Sequence, residues 1–554
     1  MRNGKLLFLF VLLTSLISCN NRRDDAARYI PKDAALVIHL NGKSLSEKLP
    51  WEEILQNKIA KHILADSSVP DFFKKVINHP QESGVDIQSD IYSYLLNDSK
   101  GSMYIILGPL KDASKFTAYL SSFKENKVAA SGNLQTMVNN FAATVWDDSR
   151  FLMLLETPDF KNQQSDNLEI DSLNFKKFLK VSDRDLLGEA SKLFKLNEKE
   201  SMKRDRRFGK MIRNEGDIHL WVNNYELMNK FYNLSSISVP FNVDKFYKDN
   251  FYTVTIRFEN GQIKGESIYY TSRELTRVIQ KNFSKPINKD IVNKLDGKNL
   301  AALYFFNMKP EGIKEIINIQ GLTGLVNMGA MIAGFSIDDV VKAFKGDFVF
   351  AVNDLKKGEK GIPDGNYLFA GTILEKDAFN KVFSGIDKLL GLSVGSESSQ
   401  KIYHEVLGNY FAIGNRTTSV KRYLATKSSP IPEWEKLKGY PIGGFLNLQY
   451  LLNTYQPADS NKSLQTIYNL NIGMWDNFYV YGGRSKNGGT LNSFELNLMD
   501  KNTNSLKQLN QLFNNSFEWL KKEDFLKKKL NETKEKTEVD TTETFKQIPT
   551  PYSP

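Results

Sequence analysis

The sequence predicts an α+β fold built as two diverged tandem repeats, each an antiparallel β-sheet with helices packed on one face. Three observations carry that prediction. First, one hairpin signature occurs twice, as "DNFYTVTIRFENG" (Asp249 to Gly261) and "DNFYVYGGRSKNG" (Asp476 to Gly488). Each copy runs through a strand pattern into Asn-Gly, a pair that tolerates the positive φ angles of a two-residue hairpin turn. Asn260–Gly261 and Asn487–Gly488 are therefore read as turns, and a second strand pattern follows each. Second, an apolar strand running into Asn and then into a helical pattern occurs four times, at Asn41, Asn223, Asn307 and Asn447. An Asn side chain can accept from the free N–H groups of a first helical turn, so all four are read as caps. Third, these parts follow one another in the same order in both halves. The hairpins demand antiparallel pairing, and alternation along several strands places one face against a core and one against water.

Taken in order, the chain opens with a short positive region, Arg2 and Lys5, and an uncharged run of about 12 residues, "LLFLFVLLTSLI". A helix that crosses a bilayer needs about 20 residues, so the run is read as a signal peptide. Leu16-Ile17-Ser18-Cys19 closes it, and Cys19 is the only cysteine in the chain. The four residues resemble the bacterial lipobox. The resemblance implies cleavage before Cys19, lipidation of its thiol (palmitate among the acyl chains) and a mature protein tethered to a membrane. Asn20 rather than Asp follows, which by the same resemblance favours the outer membrane. Domain boundaries on this reading are a lipoprotein signal peptide at 1–18, a tether at 19–27 and repeat unit 1 at 28–288.

Repeat unit 1 begins with "AALVIHLNGKSLSEKL" around Asn41, followed by "GVDI" and "KGSMYIIL", then a helix capped by Asp112. "ATVWDDSRFLMLLE" reads as a further hairpin. Residues 157–215, among them "DRDLLGEASKLFKLNEKESMKRDRRFGKMI", find no sequence partner in the second half and are read as a charged helical insertion. The strand "GDIHLWVNN" and the first Asn-Gly hairpin complete the unit. Repeat unit 2, residues 289–515, gives the matching series: "NLAALYFFNMKPEGIKEII" around Asn307, "GFSI", "KGDFVFAV", "YLFAGTILEKDAFNKVF" with Asp377 as a cap, "KIYHEVLGNYFAIGN", "IGGFLNLQYLLNTY" and the second hairpin. Residues 516–554 read as a charged helix and a polar tail that lacks the apolar content to fold.

The composition is that of a folded chain: 41% hydrophobic and 25% charged over 554 residues, with a net charge of +10. That charge is modest for the length, and no nucleic-acid partner is expected. The one dense basic cluster, "KRDRRFGKMIR" at 203–213, reads as a solvated face or a site for anionic lipid. Catalytic patterns are missing from the sequence. His39, His62, His79, His219 and His404 have no metalloprotease spacing, and His39 and His219 read as lone packed or surface residues on apolar strands. With one lipidated cysteine there is no thiolate metal site or cysteine nucleophile. No catalytic residue, metal site or cofactor is expected. Carboxylate pairs such as Asp147-Asp148 and Asp338-Asp339 suit turns and helix starts. The six tryptophans are scattered along the chain and offer no stacking platform.

The lipobox, "YIPKDAALVIHLNGKSLSEK" close behind it and the duplicated plan together resemble a family of uncharacterised Bacteroidetes lipoproteins catalogued as a domain of unknown function. The resemblance covers most of the mature chain and implies an envelope lipoprotein, with no activity or site residue to carry over. The expected function is a lipid-anchored cell-envelope protein with a non-catalytic binding or scaffolding role. Its partners would be the membrane, through the lipid, and an envelope protein or glycan. A glycan-binding component of a polysaccharide uptake system and a hydrolase with dispersed carboxylates are the alternatives.

Overall fold

The structure is a computed structural model that describes residues 25–65, 71–157, 182–232, 247–358, 363–393, 402–425, 429–456 and 462–517. The signal peptide, Cys19 and the tail beyond residue 517 lie outside the described residues. The fold is α+β around one large antiparallel sheet of 18 strands. The first half contributes β1 Leu36–Leu40, β2 Ile91–Asp98, β3 Gly101–Pro109, β4 Lys127–Ser131, β5 Leu134–Val138, β6 Ala142–Trp146, β7 Arg150–Thr157, β8 Ile218–Asn223, β9 Phe251–Glu259 and β10 Gln262–Tyr270. The second contributes β11 Leu300–Asn307, β12 Phe344–Lys357, β13 Pro363–Ile373, β14 Tyr403–Leu407, β15 Tyr410–Gly414, β16 Ile442–Asn447, β17 Trp475–Lys486 and β18 Gly489–Leu498.

Strand pairing gives a single unbranched order. The first arm runs β4-β5-β6-β7-β3-β2-β1-β8-β9-β10. β10 then pairs with β18, and the second arm continues β18-β17-β16-β11-β12-β13-β15-β14. Every one of these pairs is antiparallel, as the hairpin signatures require.

The expectation of helices on one face is wrong. Neighbouring residues of one strand enter different cores: Ile105, Leu152 and Leu154 join one cluster, Ile106, Phe151 and Met153 another. The second half repeats this with Val349 and Ala351 in one cluster and Phe348 in another. Side chains alternate across a strand, so these clusters lie on opposite faces, and both are covered. Unbroken apolar runs such as "YIIL", "FLMLL" and "FVFAV" are the sequence form of strands buried on both sides.

The segment read as a charged helical insertion supplies part of the core. Its helices Leu186–Phe194 and Arg206–Ile212 bury Leu186, Ala190, Leu193, Phe194, Phe208 and Met211 in the first core. They stand between β7 and β8, as the helices Thr417–Leu424 and Trp434–Leu437 stand between β15 and β16. Residues 158–181 lie outside the described residues.

Candidate functional site

Two places concentrate polar groups. The first is a cleft of about 1060 Å³ in the first half. Three pieces form most of it, the helix Trp51–Gln56, the segment Pro80–Gln88 and the helix Ala113–Ser121, and the helix Asp71–Asn78 adds Lys75. Pro50 starts the first helix, and the Trp51 indole N–H donates to the Ile77 carbonyl at 2.9 Å, which fixes the ring at the rim. Gly84 turns the second piece at φ 77°. A side chain there would come within 2.2 Å of the Asp112 carbonyl, so the approach of loop to helix requires glycine. Asp112 caps the third piece, its carboxylate accepting the Lys115 N–H at 2.9 Å.

The cleft lining mixes Trp51 and Tyr119 with amides (Gln81, Gln88), acids (Glu52, Glu82, Asp86, Asp112) and Lys75, Lys111 and Lys115. Lys75 sits over the Tyr119 ring at 5.6 Å. Burial pushes the Tyr119 hydroxyl well above its ordinary value. A second hollow of about 530 Å³ shares Asp86, Gln88 and Lys111 and carries the groove on to Lys43, Ser46 and Glu47. Asp86 is tied into its own turn, accepting from Gln88 N–H at 3.2 Å and Ser89 Oγ at 2.6 Å.

The second place is a sealed polar cluster where β1 meets β8. His39 faces His219 across that pair, and their Nδ1 atoms are 2.9 Å apart. Both rings are buried. His219 Nε2 lies 3.0 Å from the Asn214 carbonyl, which can only accept. His219 therefore carries its proton on Nε2, and the His39 Nδ1–H donates to His219 Nδ1. His39 Nε2 then points at Asp90, 3.4 Å away. Burial, and next the neighbouring His39, push the His219 pKa down to about 4. Beside the pair, the buried Asp217 carboxylate accepts from Lys48 Nζ at 2.6 Å, Ser44 Oγ at 2.5 Å and the Phe258 N–H at 2.6 Å. Removing the Lys48 ammonium would leave the buried Asp217 charge without its counter-ion, at a cost of roughly 3–5 kcal/mol.

The residues singled out in the sequence fall mostly at junctions. Asn41 accepts the Ser44 N–H at 3.1 Å, Asn223 that of Glu226 at 3.3 Å and Asn447 that of Tyr450 at 2.9 Å. Asn307 does not cap. Its helix starts later, at Pro310 with Lys309 as the cap residue, and the Asn307 amide donates instead to Asp347 at 2.8 Å. Asn487 and Gly488 both have positive φ, 54° and 86°, as a tight hairpin requires. At the other turn only Gly261 does, at 64°. That turn is docked: Gly261 N–H donates to the Thr503 carbonyl at 3.0 Å, and Asn260 bridges Asn504. Asp377 lies in the first turn of its helix rather than at its cap.

The basic cluster is largely used internally. Lys203 pairs with Asp25 at 3.0 Å, Arg204 with Glu198 at 3.1 Å and Arg207 with Asp205 at 2.7 Å. The Arg207 guanidinium also covers Phe251 at 4.4 Å and Trp221 at 5.5 Å. Sequence reading missed the His39–His219 meeting, because only the β1–β8 register brings the two together. It missed the cleft because Trp51 carries no motif. Trp146 and Trp221 are fully buried. Among the described residues no group of three or more His, Cys, Asp or Glu is placed to hold a metal ion.

A family model described as a domain of unknown function (DUF4836) matches residues 27–429. No curated protein matches the chain. Among solved structures, crystal form IV of TP0453 aligns over 44% of this chain and 80% of that one, at 10% identity and a TM-score of 0.25. Crystal form III aligns over 48% and 89%, at 8% identity and a TM-score of 0.24. Scores this low do not establish a shared fold.

Proposed function

The chain belongs to the DUF4836 family, and from that premise we propose that it is a lipid-anchored cell-envelope protein with a non-catalytic binding role, exercised through the cleft of the first half. The carrying observation is the cleft of about 1060 Å³ with mixed aromatic, amide and charged walls. Ligand pockets of this kind place a few polar groups around an apolar surface. Two of its four carboxylates, Asp86 and Asp112, are committed to a turn and a helix cap, which favours binding over acid–base chemistry. The two histidines that do meet are walled off at the β1–β8 junction. The tether is Cys19 within Leu16-Ile17-Ser18-Cys19, and the outer membrane of a Bacteroidetes-type envelope is its place.

The two halves are diverged copies on this reading. Outward from the centre, one arm runs β10-β9-β8-β1-β2-β3-β7-β6 and the other β18-β17-β16-β11-β12-β13-β15-β14; the hairpins and the strands before the Asn residues hold matching places, whereas "KGSMYIIL", matched in sequence with "KGDFVFAV" of β12, is β3 and holds the place of β13, β2 holding that of β12. At the centre Glu266 faces Ser493, and each lies six residues beyond the Asn of its own turn. That is the register of a pseudo-twofold axis between β10 and β18.

A second reading, glycan binding, is favoured by Trp51, whose indole is fixed at the rim beside Gln81, Gln88 and Glu52. One experiment tests both. The wild-type chain should incorporate an alkyne palmitate label and sediment with envelopes, and Cys19→Ala should lose the label. Calorimetric titration with an oligosaccharide panel should give heat that Trp51→Ala abolishes. Label retained in Cys19→Ala sinks the tether. Oligosaccharide binding unaffected by Trp51→Ala sinks the cleft as the site.

A further inference from the structure

The helix Thr323–Ala333, "TGLVNMGAMIA", has no charged residue, and its apolar side chains point outward. Leu325 is 41% exposed, Met328 54%, Met331 75% and Ile332 63%. These positions share one helical face. Only Ala330 and Ala333 of this helix are buried. The display is held open. Gly334 ends the helix at φ 84°, the Phe335 N–H returns to the Ala330 carbonyl at 3.0 Å, and a capping box of Ser336 and Asp339 starts the next helix. The charges nearby are mostly satisfied, Lys314 by Asp338 and Lys381 by Asp339.

We infer that this helix lies in the surface of a lipid bilayer, docking the second half on the membrane. Three properties select lipid as the occupant. The patch is uncharged, which suits hydrocarbon and gives a protein partner nothing to orient on. Four side chains on one helix expose a few hundred Å², well short of the about 800 Å² per side that a stable protein interface buries. At about 1.5 Å per residue, an 11-residue helix reaches only about half the hydrocarbon thickness, so it lies along the interface and does not span. Together with Ile337–Ala343 it has the length and composition of a span, but the two are bent by 76°, and the second carries Asp338 and Asp339. Among the described residues no single helix is long and apolar enough to cross a membrane. The inference does not need the lipid at Cys19, although a tethered chain would meet the surface more often.

The test uses the full chain with Cys19→Ala, so that a single introduced thiol takes an environment-sensitive fluorophore. Met331→Cys labels the helix, and Ser131→Cys labels exposed β4 as a control. On adding vesicles of phosphatidylcholine and phosphatidylglycerol, the label at position 331 should shift to the blue and brighten. Lipids carrying a shallow quencher should darken it, and the label at 131 should stay water-like. A water-like label at 331 in vesicle-bound chain overturns the inference, as does failure of the chain to bind vesicles. A blue shift without vesicles that grows with protein concentration overturns it in favour of a second copy. Because Cys19 is absent throughout, these outcomes are independent of lipidation.

Discussion

At the scale of single residues, the His39–His219 pair sets a pH dependence. His219 titrates near 4 in the fold, against about 6.5 when exposed. The unfolded chain therefore takes up this proton first. The stability that His219 contributes is complete above about pH 6.5 and drains away as the pH falls toward 4, at up to about 1.4 kcal/mol per pH unit. The second half suggests how to remove it. Where β11 meets β16, Phe305 lies against Gly443, whose missing side chain leaves room for the ring. A His39→Phe, His219→Gly double variant takes less room than the two imidazoles and should lose stability at every pH, but it should flatten the stability profile between pH 6.5 and 4 in denaturant titrations. A profile as steep as wild type would assign the slope to other groups. Little of this was legible in the sequence. Two histidines on separate apolar strands look solitary until register is known, and Asp217 looks like a loop acid until Lys48, Ser44 and Phe258 close on it.

At the scale of elements, the two Asn-Gly turns look identical in sequence and differ in surroundings. Gly488 has open space where a methyl would go, so Gly488→Ala should cost only the strain of positive φ, about 1 kcal/mol. At Gly261 the methyl would come within 2.5 Å of Lys501 Cα, in backbone that cannot swing aside. Gly261→Ala should cost roughly 3 kcal/mol. Equal midpoint shifts in urea would show that the 498–504 segment yields. The Asn-Gly hairpins and three of the four Asn caps were legible because each depends on residues close in sequence; strand order was not, since it rests on distant pairings such as β1–β8 and β10–β18. Coverage of both faces was signalled by unbroken apolar runs such as "YIIL" and "FVFAV", which a reading for alternation passed over. β4 and β5 were not foreseen either, since "KVAAS" is small and polar.

At the scale of the whole molecule, the halves hold each other by exchange as well as through β10–β18. The helix Arg273–Asn282, which follows the first hairpin, packs on Pro310–Ile319 of the second half, with Gly312 set against Asn282. The helix at 505–517, which follows the second hairpin, packs on the first half. Asn57 donates to the Asn510 carbonyl at 3.0 Å and side chain at 2.8 Å, and Lys507 pairs with Glu53 at 2.8 Å. Asn57→Leu should therefore raise hydrogen exchange both locally, at 51–65, and across 505–517. A rise confined to 51–65 would mean that the distal helix is held by other contacts. The segments between the first two strands of each half differ in what they carry. One helps to wall a polar cleft, and the other presents the bare helix Thr323–Ala333.

An unbranched ribbon of strands can be lengthened only at its two margins, and here those margins are unlike. Among the described residues each outermost strand, β4 and β14, has a strand partner on one side only. β4 offers an incoming chain little but polar and methyl groups, with Lys127 at its start. β14 leaves Val406 and Leu407 exposed at 41% and 57%, with Ile402 at 62% just ahead of it. Unpaired backbone beside greasy side chains is a template for pairing between molecules. The β14 margin is thus where crowded copies would begin to stack into fibres, and a single lysine at Val406 is the cheapest guard against it.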